Sequence, residues 1–220
     1  FSDDAESDTR IIAYTNDRVQ YYNQAIHHRL HGNTDTRFVA GERVIVHRQS
    51  IVECRINNWI FEPDRLITSD ELRVQSVSKK NHPLYPSIPA EQLLLERDGR
   101  VYRAWVAQDE LELNRQISDC FAQFRDFKSK AMQAMTPDEQ QNYKQQSTDW
   151  SSKGWALRHA FADLRHAYAI TCHKSQGSTF DCALVDFTDL SKINDVMQFN
   201  RALYVAATRS REFLAMVVTH

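Results

Sequence analysis

A short apolar run that ends abruptly in a polar loop constrains this chain most. Ala167 to Thr171 reads as a buried strand, and His173-Lys-Ser-Gln-Gly-Ser-Thr-Phe180 follows at once. Ala183-Leu-Val-Asp-Phe187 reads as the next strand; Ile193, Val196, Met197, Asn200, Leu203, Tyr204 and Ala207 then recur at helical spacing. Phe213 to Val218 closes as a further strand. The start of the chain has the same rhythm. Arg10 to Thr15 reads as a strand, and Val19, Tyr22, Ile26 and Leu30 form one helical stripe that stops at Gly32. Arg43 to His47 reads as the following strand. Strand and helix alternating at both ends predict one α/β sheet domain interrupted in the middle.

The interruption has a different character. Leu72–Val77, Gln92–Glu96 and Val101–Val106 are short β-like runs, with Asp98-Gly99 as a hairpin signal between the last two. The spacing predicts a small β module over roughly 64–108 and a helix from about Glu110 to Met135 carrying Leu113, Ile117, Phe121, Phe124 and Phe127. Thr136 to Lys153, rich in Gln, Asp and Ser, reads as a surface excursion whose Thr-Pro-Asp-Glu could open a short helix. Leu157, Phe161, Leu164 and Tyr168 suggest one more helical stripe. The domains expected are 1–62 and 155–220, forming the sheet, with 63–154 inserted.

Composition narrows the class. No apolar run approaches the roughly 20 residues that cross a bilayer, and Phe1-Ser2-Asp3-Asp4 is no signal sequence. The absence of an initiator Met leads us to expect a piece of a longer protein. Cys54, Cys120, Cys172 and Cys182 form no C-x-x-C pair, so reduced thiols in a cytoplasmic protein are expected and a metal centre is not. With 27 basic against 29 acidic residues, any nucleic-acid contact has to come from a local patch.

The loop after Thr171 supplies such a patch. It lies where ligands bind in open α/β sheets, outside the carboxyl end of a strand. Its hydroxyls, imidazole and ammonium suit phosphate oxygens, and Gly177 permits close approach of a backbone or ligand. Polar loops are common on surfaces, so the residues alone leave this open.

The segment Tyr168–Phe180 resembles motif V of superfamily 1 helicases, in the T-x-H-K-S-Q-G-x-T-F form of the RecD-like, Dda-like and Pif-like branch. Asn200-Arg-Ala-Leu-Tyr-Val-Ala-Ala-Thr-Arg-Ser-Arg211 resembles motif VI, Y-V-A-x-T-R-x-R. Ile11-Ile-Ala-Tyr-Thr-Asn-Asp-Arg-Val19 with Asn23, and Gly41-Glu-Arg-Val44, are similar to two further segments of the group. The resemblance, to the UvrD-like C-terminal domain, implies a RecA-like parallel sheet with helices on both faces, and a Src-homology-3-like β module as the insertion.

It also implies roles. ATP would sit between two motor lobes, of which this chain supplies the second. Arg209 would be the arginine finger, against the alternative of an Arg that caps its helix. Arg211 is open between assisting at the phosphates and being solvated. Gln176 and Gly177 would lie by the nucleotide. Thr171, His173, Lys174 and Ser175 would contact single-stranded DNA, and Asn16 is open between DNA contact and helix cap. None of the five glycines opens a G-x-x-x-x-G-K-[ST] loop, so ATP and Mg²⁺ are expected in the full-length protein and not tightly on this fragment, which should be inactive alone. Val106-Ala-Gln-Asp-Glu110 mimics a Walker B strand end, yet Asp109 and Glu110 suit the start of the next helix. Partners would be single-stranded DNA and the N-terminal lobe of the same parent, with 5′→3′ movement and a role such as DNA repair. Two rivals stand beside this: a non-catalytic binding module using Trp150, Trp155 and Tyr143 for stacking, and a protein-interaction domain built on Phe121–Phe127.

Overall fold

Eleven strands and five helices are found among residues 8–55 and 61–218, which a computed structural model describes; the acidic start of the chain lies outside them. They form two compact units. One comprises residues up to Asp35, Glu42–Ile45 and the chain from Arg165; the other comprises Thr36–Gly41 and Val46–Leu164. The sequence boundaries had been expected at 62/63 and 154/155.

The first unit is built on a parallel sheet. Strand β1 (Thr9–Ala13) lies between β9 (Ala169–Thr171) and β10 (Phe180–Asp186), and β11 (Ser210–Val217) flanks β10, giving the order β11-β10-β1-β9. All three pairings are parallel. The connections are helical: α1 (Asn16–His31) follows β1, and α4 (Phe187–Leu190) and α5 (Val196–Ala207) join β10 to β11. Ile12, Ile170, Phe180, Val185, Leu190 and Ala206 are buried together as its core. This is the α/β sheet built from both ends of the chain.

Helix α1 departs from the sequence reading at both termini. Thr15, and not Asn16, is its cap: Thr15 is extended (φ −90°, ψ 147°) and its hydroxyl accepts from Arg18 N at 3.3 Å. Thr15 Oγ1 also lies 3.0 Å from Asp189 Oδ1, an anchor Asn16 lacks. At the far end Leu30 is exposed, and the one buried position is the polar Asn23, whose amide bonds both the N–H and the carbonyl of Ala169. Gly32 ends the helix at φ 67°, donating to His28 O.

A separate seven-stranded sheet is ordered β4-β3-β7-β6-β5-β2-β8. Its members are β2 (Arg43–Arg48), β3 (Ser50–Arg55), β4 (Phe61–Leu66), β5 (Glu71–Lys79), β6 (Ala90–Arg97), β7 (Arg100–Ala107) and β8 (Asp163–His166). β6 and β7 form the anticipated two-residue hairpin: Arg97 pairs with Arg100, and both Asp98 (φ 51°) and Gly99 (φ 73°) are left-handed, the conformation a type I′ turn requires.

Two long helices, α2 (Glu110–Gln133) and α3 (Pro137–Ala160), pack against each other in the second unit. Asp109 caps α2, accepting from Glu112 N at 2.9 Å, so the Walker B mimic is a helix start. Helix α3 absorbs the whole polar segment expected to be an excursion. A capping box between Thr136 and Glu139 starts it. Side-chain pairs four residues apart, Lys144 to Gln140, Gln145 to Asp149 and Gln146 to Asn142, lace its wet face. The predicted stripe through Tyr168 stops short: Phe161 is the C-cap, and Leu164 belongs to β8.

Gly154 sets how closely these helices approach. A Cβ there would meet Cys120 Cβ and a ring carbon of Phe121, both at 3.2 Å. Gly154→Val is expected to lower stability by about 1–3 kcal/mol through overpacking. Gly154→Ala should come out near neutral, because about 1 kcal/mol of helix propensity offsets the crowding. Thermal unfolding of the two variants side by side checks this.

Candidate functional site

The loop after β9 is a tight, internally bonded turn. Ser175 N donates to Thr171 O at 3.0 Å, Gln176 N to His173 O at 3.3 Å, and Ser178 N to Ser175 O at 3.0 Å. Gly177 sits at φ 89°, which only glycine adopts without strain. The turn sorts the predicted contact residues. His173, Gln176 and Gly177 are exposed and Lys174 is half-buried. Thr171 is buried and its hydroxyl accepts from Lys174 N at 3.3 Å. Ser175, expected to face a bound strand, is fully buried, with its hydroxyl donating to Cys172 O at 2.7 Å. Its chemistry is spent on holding the turn.

Helix α5 meets this loop. Cys172 Sγ lies 3.1 Å from Ala202 O, and burial pushes the Cys172 thiol pKa up, so it acts as an inert packing group. Tyr14, Cys172, His173, Gln176, Arg201 and Tyr204 line a cavity of about 500 Å³. On its wall the Tyr14 and His173 rings lie tilted against each other, centres 6.0 Å apart. Strand β1, the loop after β9 and α5 thus bring their polar side chains to one place.

Arg209 lies between α5 and β11 and is half-buried. Its Nε donates to Val205 O at 2.9 Å, one terminal nitrogen to Ser178 O at 3.0 Å, and the other to Thr208 Oγ1 at 2.9 Å. Arg209 therefore caps the C-terminal end of α5, where a cation suits the dipole, and ties that end to the loop. Three of its five N–H donors are used this way. Arg211, on β11, is mostly exposed and lies 3.8 Å from Asp181. Asn16 is exposed in the first turn of α1 and does not line the cavity.

Two carboxylates missed in the sequence reading brace this region. Asp189 Oδ2 accepts from Tyr14 N at 2.8 Å and Thr15 N at 2.7 Å, and Lys192 Nζ donates to Oδ1 at 2.7 Å. Asp186 Oδ2 accepts from Arg18 Nε at 2.6 Å and from the Tyr22 hydroxyl at 2.7 Å. Burial alone would raise both carboxyl pKa values. The bonds from Lys192, Thr15 and Tyr14 at Asp189, and from Arg18, Tyr22 and Asp189 N at Asp186, outweigh it and hold both below the ordinary carboxylate range. The signal was present as Asp186-Phe-Thr-Asp189 after a strand, an N-cap pattern. The aromatic groups of the rival readings lie elsewhere, in the second unit. Trp155 meets Phe121 edge-on at 5.5 Å, Tyr143 stacks on Phe127 at 6.4 Å, and Lys153 covers Trp150 at 4.6 Å.

Residues 166–217, from the end of β8 through β11, match the UvrD-like helicase C-terminal domain family. Among individual proteins, a 72-residue stretch is 33% identical to an uncharacterized protein of Acanthamoeba polyphaga mimivirus, covering 30% of this chain and 15% of the viral one. Two solved structures are similar over nearly the whole chain. The Pif1 helicase of Candida albicans matches at 18% identity and a TM-score of 0.46, over 99% of this chain and 46% of its own. The Bacteroides Pif1 helicase, solved with ADP-AlF3 and ssDNA, matches at 14% identity and a TM-score of 0.47, over 98% of this chain and 41% of its own. This chain spans less than half the length of either. No helix among the described residues is long and apolar enough to cross a membrane.

Proposed function

We propose that this chain is the second motor lobe of an ATP-dependent DNA helicase of superfamily 1, moving 5′→3′ on single-stranded DNA. One observation carries the reading: the loop after β9 and the end of α5, which bear the two motif-like segments, are joined through Arg209 and Ser178. ATP with Mg²⁺ is held chiefly by a preceding lobe of the parent protein, since this sequence has no phosphate-cradling loop. Arg209 is the group that stabilises charge on the transferring phosphoryl oxygens, with Gln176, Gly177 and Arg211 beside the nucleotide. His173 and Lys174 contact the DNA backbone, Thr171 and Ser175 hold the turn that presents them, and Asn16 extends the track. Because the Arg209–Ser178 bond links the two segments, a change at the phosphates can be passed to the loop that grips DNA.

Phosphate contacts of this kind displace counterions, so the affinity of the chain for an oligothymidylate should fall linearly on a log–log plot against salt, by about 0.7 per phosphate neutralised. Lys174→Ala should weaken binding and reduce that slope by about 0.7. Fluorescence anisotropy across a salt series measures both, and binding indifferent to salt would overturn the DNA-track assignment. Unwinding assays on 5′- and 3′-tailed duplexes with the parent protein test the polarity.

A further inference from the structure

Away from the cavity, three side chains distant in sequence converge within the first unit. His27 comes from α1, Glu42 from the turn before β2, and His166 from the end of β8. One donor atom from each lies within 4.8 Å of the others. The Glu42 side chain is fully buried, while the imidazoles are near the surface, with 12% and 14% of their side chains exposed. His27 Nδ1 stands 3.3 Å from Glu42 Oε1, and His166 Nδ1 contacts the same oxygen. The two rings stack at 4.4 Å between centres and so present their Nδ1 atoms to the same oxygen.

We propose that His27, Glu42 and His166 form a binding site for a first-row divalent transition cation of the Zn²⁺ class. Two imidazoles and one carboxylate are a complete protein ligand set for such an ion, with water completing the coordination. Metal–ligand bonds of about 2.0–2.1 Å in a tetrahedron separate the donor atoms by roughly 3.4 Å, the spacing His27 and Glu42 already have. The outer groups are suitable too. His27 Nε2 lies 3.5 Å from Thr34 Oγ1, and with the proton on that nitrogen the Nδ1 lone pair faces the carboxylate, an arrangement a cation between them satisfies. His31, 5.1 Å from His27 between ring centres, bonds the Tyr168 hydroxyl at 3.1 Å and walls the site on one side. The ion would clip α1, the entry to β2 and the end of β8 together, a structural task independent of the motor chemistry. Cysteine spacing could not reveal it, because the ligands are His and Glu, with Glu42 and His166 separated by 124 in sequence number.

The test uses the whole 220-residue chain, stripped with chelator and titrated with Co²⁺ and Zn²⁺. Co²⁺ should give a visible d–d band saturating at a single equivalent, Zn²⁺ should abolish it by competition, and Zn²⁺ should raise the melting temperature. His166→Ala and His27→Ala should each weaken Co²⁺ binding at least about 100-fold while leaving the metal-free circular dichroism spectrum intact. Glu42→Gln should behave likewise, and if it unfolds the chain the two histidine variants still decide. Absence of a Co²⁺ band, or a band unchanged in both histidine variants and therefore arising elsewhere, would overturn the assignment.

Discussion

Arg209→Ala in the full-length parent protein is expected to lower ATP turnover by about 10³-fold or more, with single-stranded DNA binding changed only a few-fold. The expectation rests on the chemistry of a guanidinium. Charge on the transferring phosphoryl group is stabilised by rigid donors placed in a dry cleft, the role proposed for Arg209. The structure adds a competing job, since Arg209 holds Val205 O, Ser178 O and Thr208 Oγ1. If capping were its whole role, removal would loosen the loop and DNA binding would fall alongside turnover. Arg209→Lys sharpens the comparison: an ammonium retains the charge but cannot bridge two carbonyls and a phosphate at once. Steady-state turnover and anisotropy on the same preparations separate the outcomes; turnover surviving within a few-fold in the alanine variant would remove the finger from this position.

The second large effect concerns stability. Asp189→Ala should destabilise the first unit by roughly 2–5 kcal/mol, because the N–H groups of Tyr14 and Thr15 lose their acceptor where Asp189 itself is almost wholly buried. In thermal terms this is a fall in the order of 10 °C. Asp189→Asn keeps an acceptor and should cost less. The pH dependence has a definite sign. Asp186 and Asp189 have folded-state pKa values below those of the unfolded chain. Their contribution is therefore complete above the unfolded carboxylate value of about 4 and is lost as pH falls through the lower folded values. Denaturant melts from about pH 5 downward, spanning the range in which this contribution is lost, should show the wild type losing stability more steeply than Asp189→Asn. Parallel curves would show that this carboxylate carries no such linkage.

Much of the architecture was legible because local pattern and tertiary role agree. Asp98-Gly99 specifies a left-handed two-residue turn whatever surrounds it, and the apolar runs around Ile12, Ile170 and Val185 are short and continuous because parallel strands are buried on both faces. Where the reading failed, long-range partners decided. Helix α3 has so little apolar periodicity that its polar sequence reads as a loop; its capping box and the face it lays on α2 make it helical. β3 and β4 pair with each other, Ser50 opposite Leu66, although the intervening sequence 56–60 carries no Gly or Pro to announce the pairing. At the site, motif resemblance singled out Arg209 and the loop, but not that Ser175 faces inward, since burial of a hydroxyl depends on a carbonyl three residues away. The His27–Glu42–His166 cluster has no local signature at all.

The parallel sheet imposes an order on assembly. Strand β1 can complete its pairings only with residues far later in the chain, since its first partner is Ala169, paired with Ile11. On a ribosome, the stretch from Val46 to Leu164 can reach its own compact state while the first strand still waits for neighbours. Clipping the chain between Thr171 and Phe180 would then strand β1 beside only one of its two neighbours. A nascent chain stalled at that length should be an easy target for proteases at its leading end, even with its middle already folded.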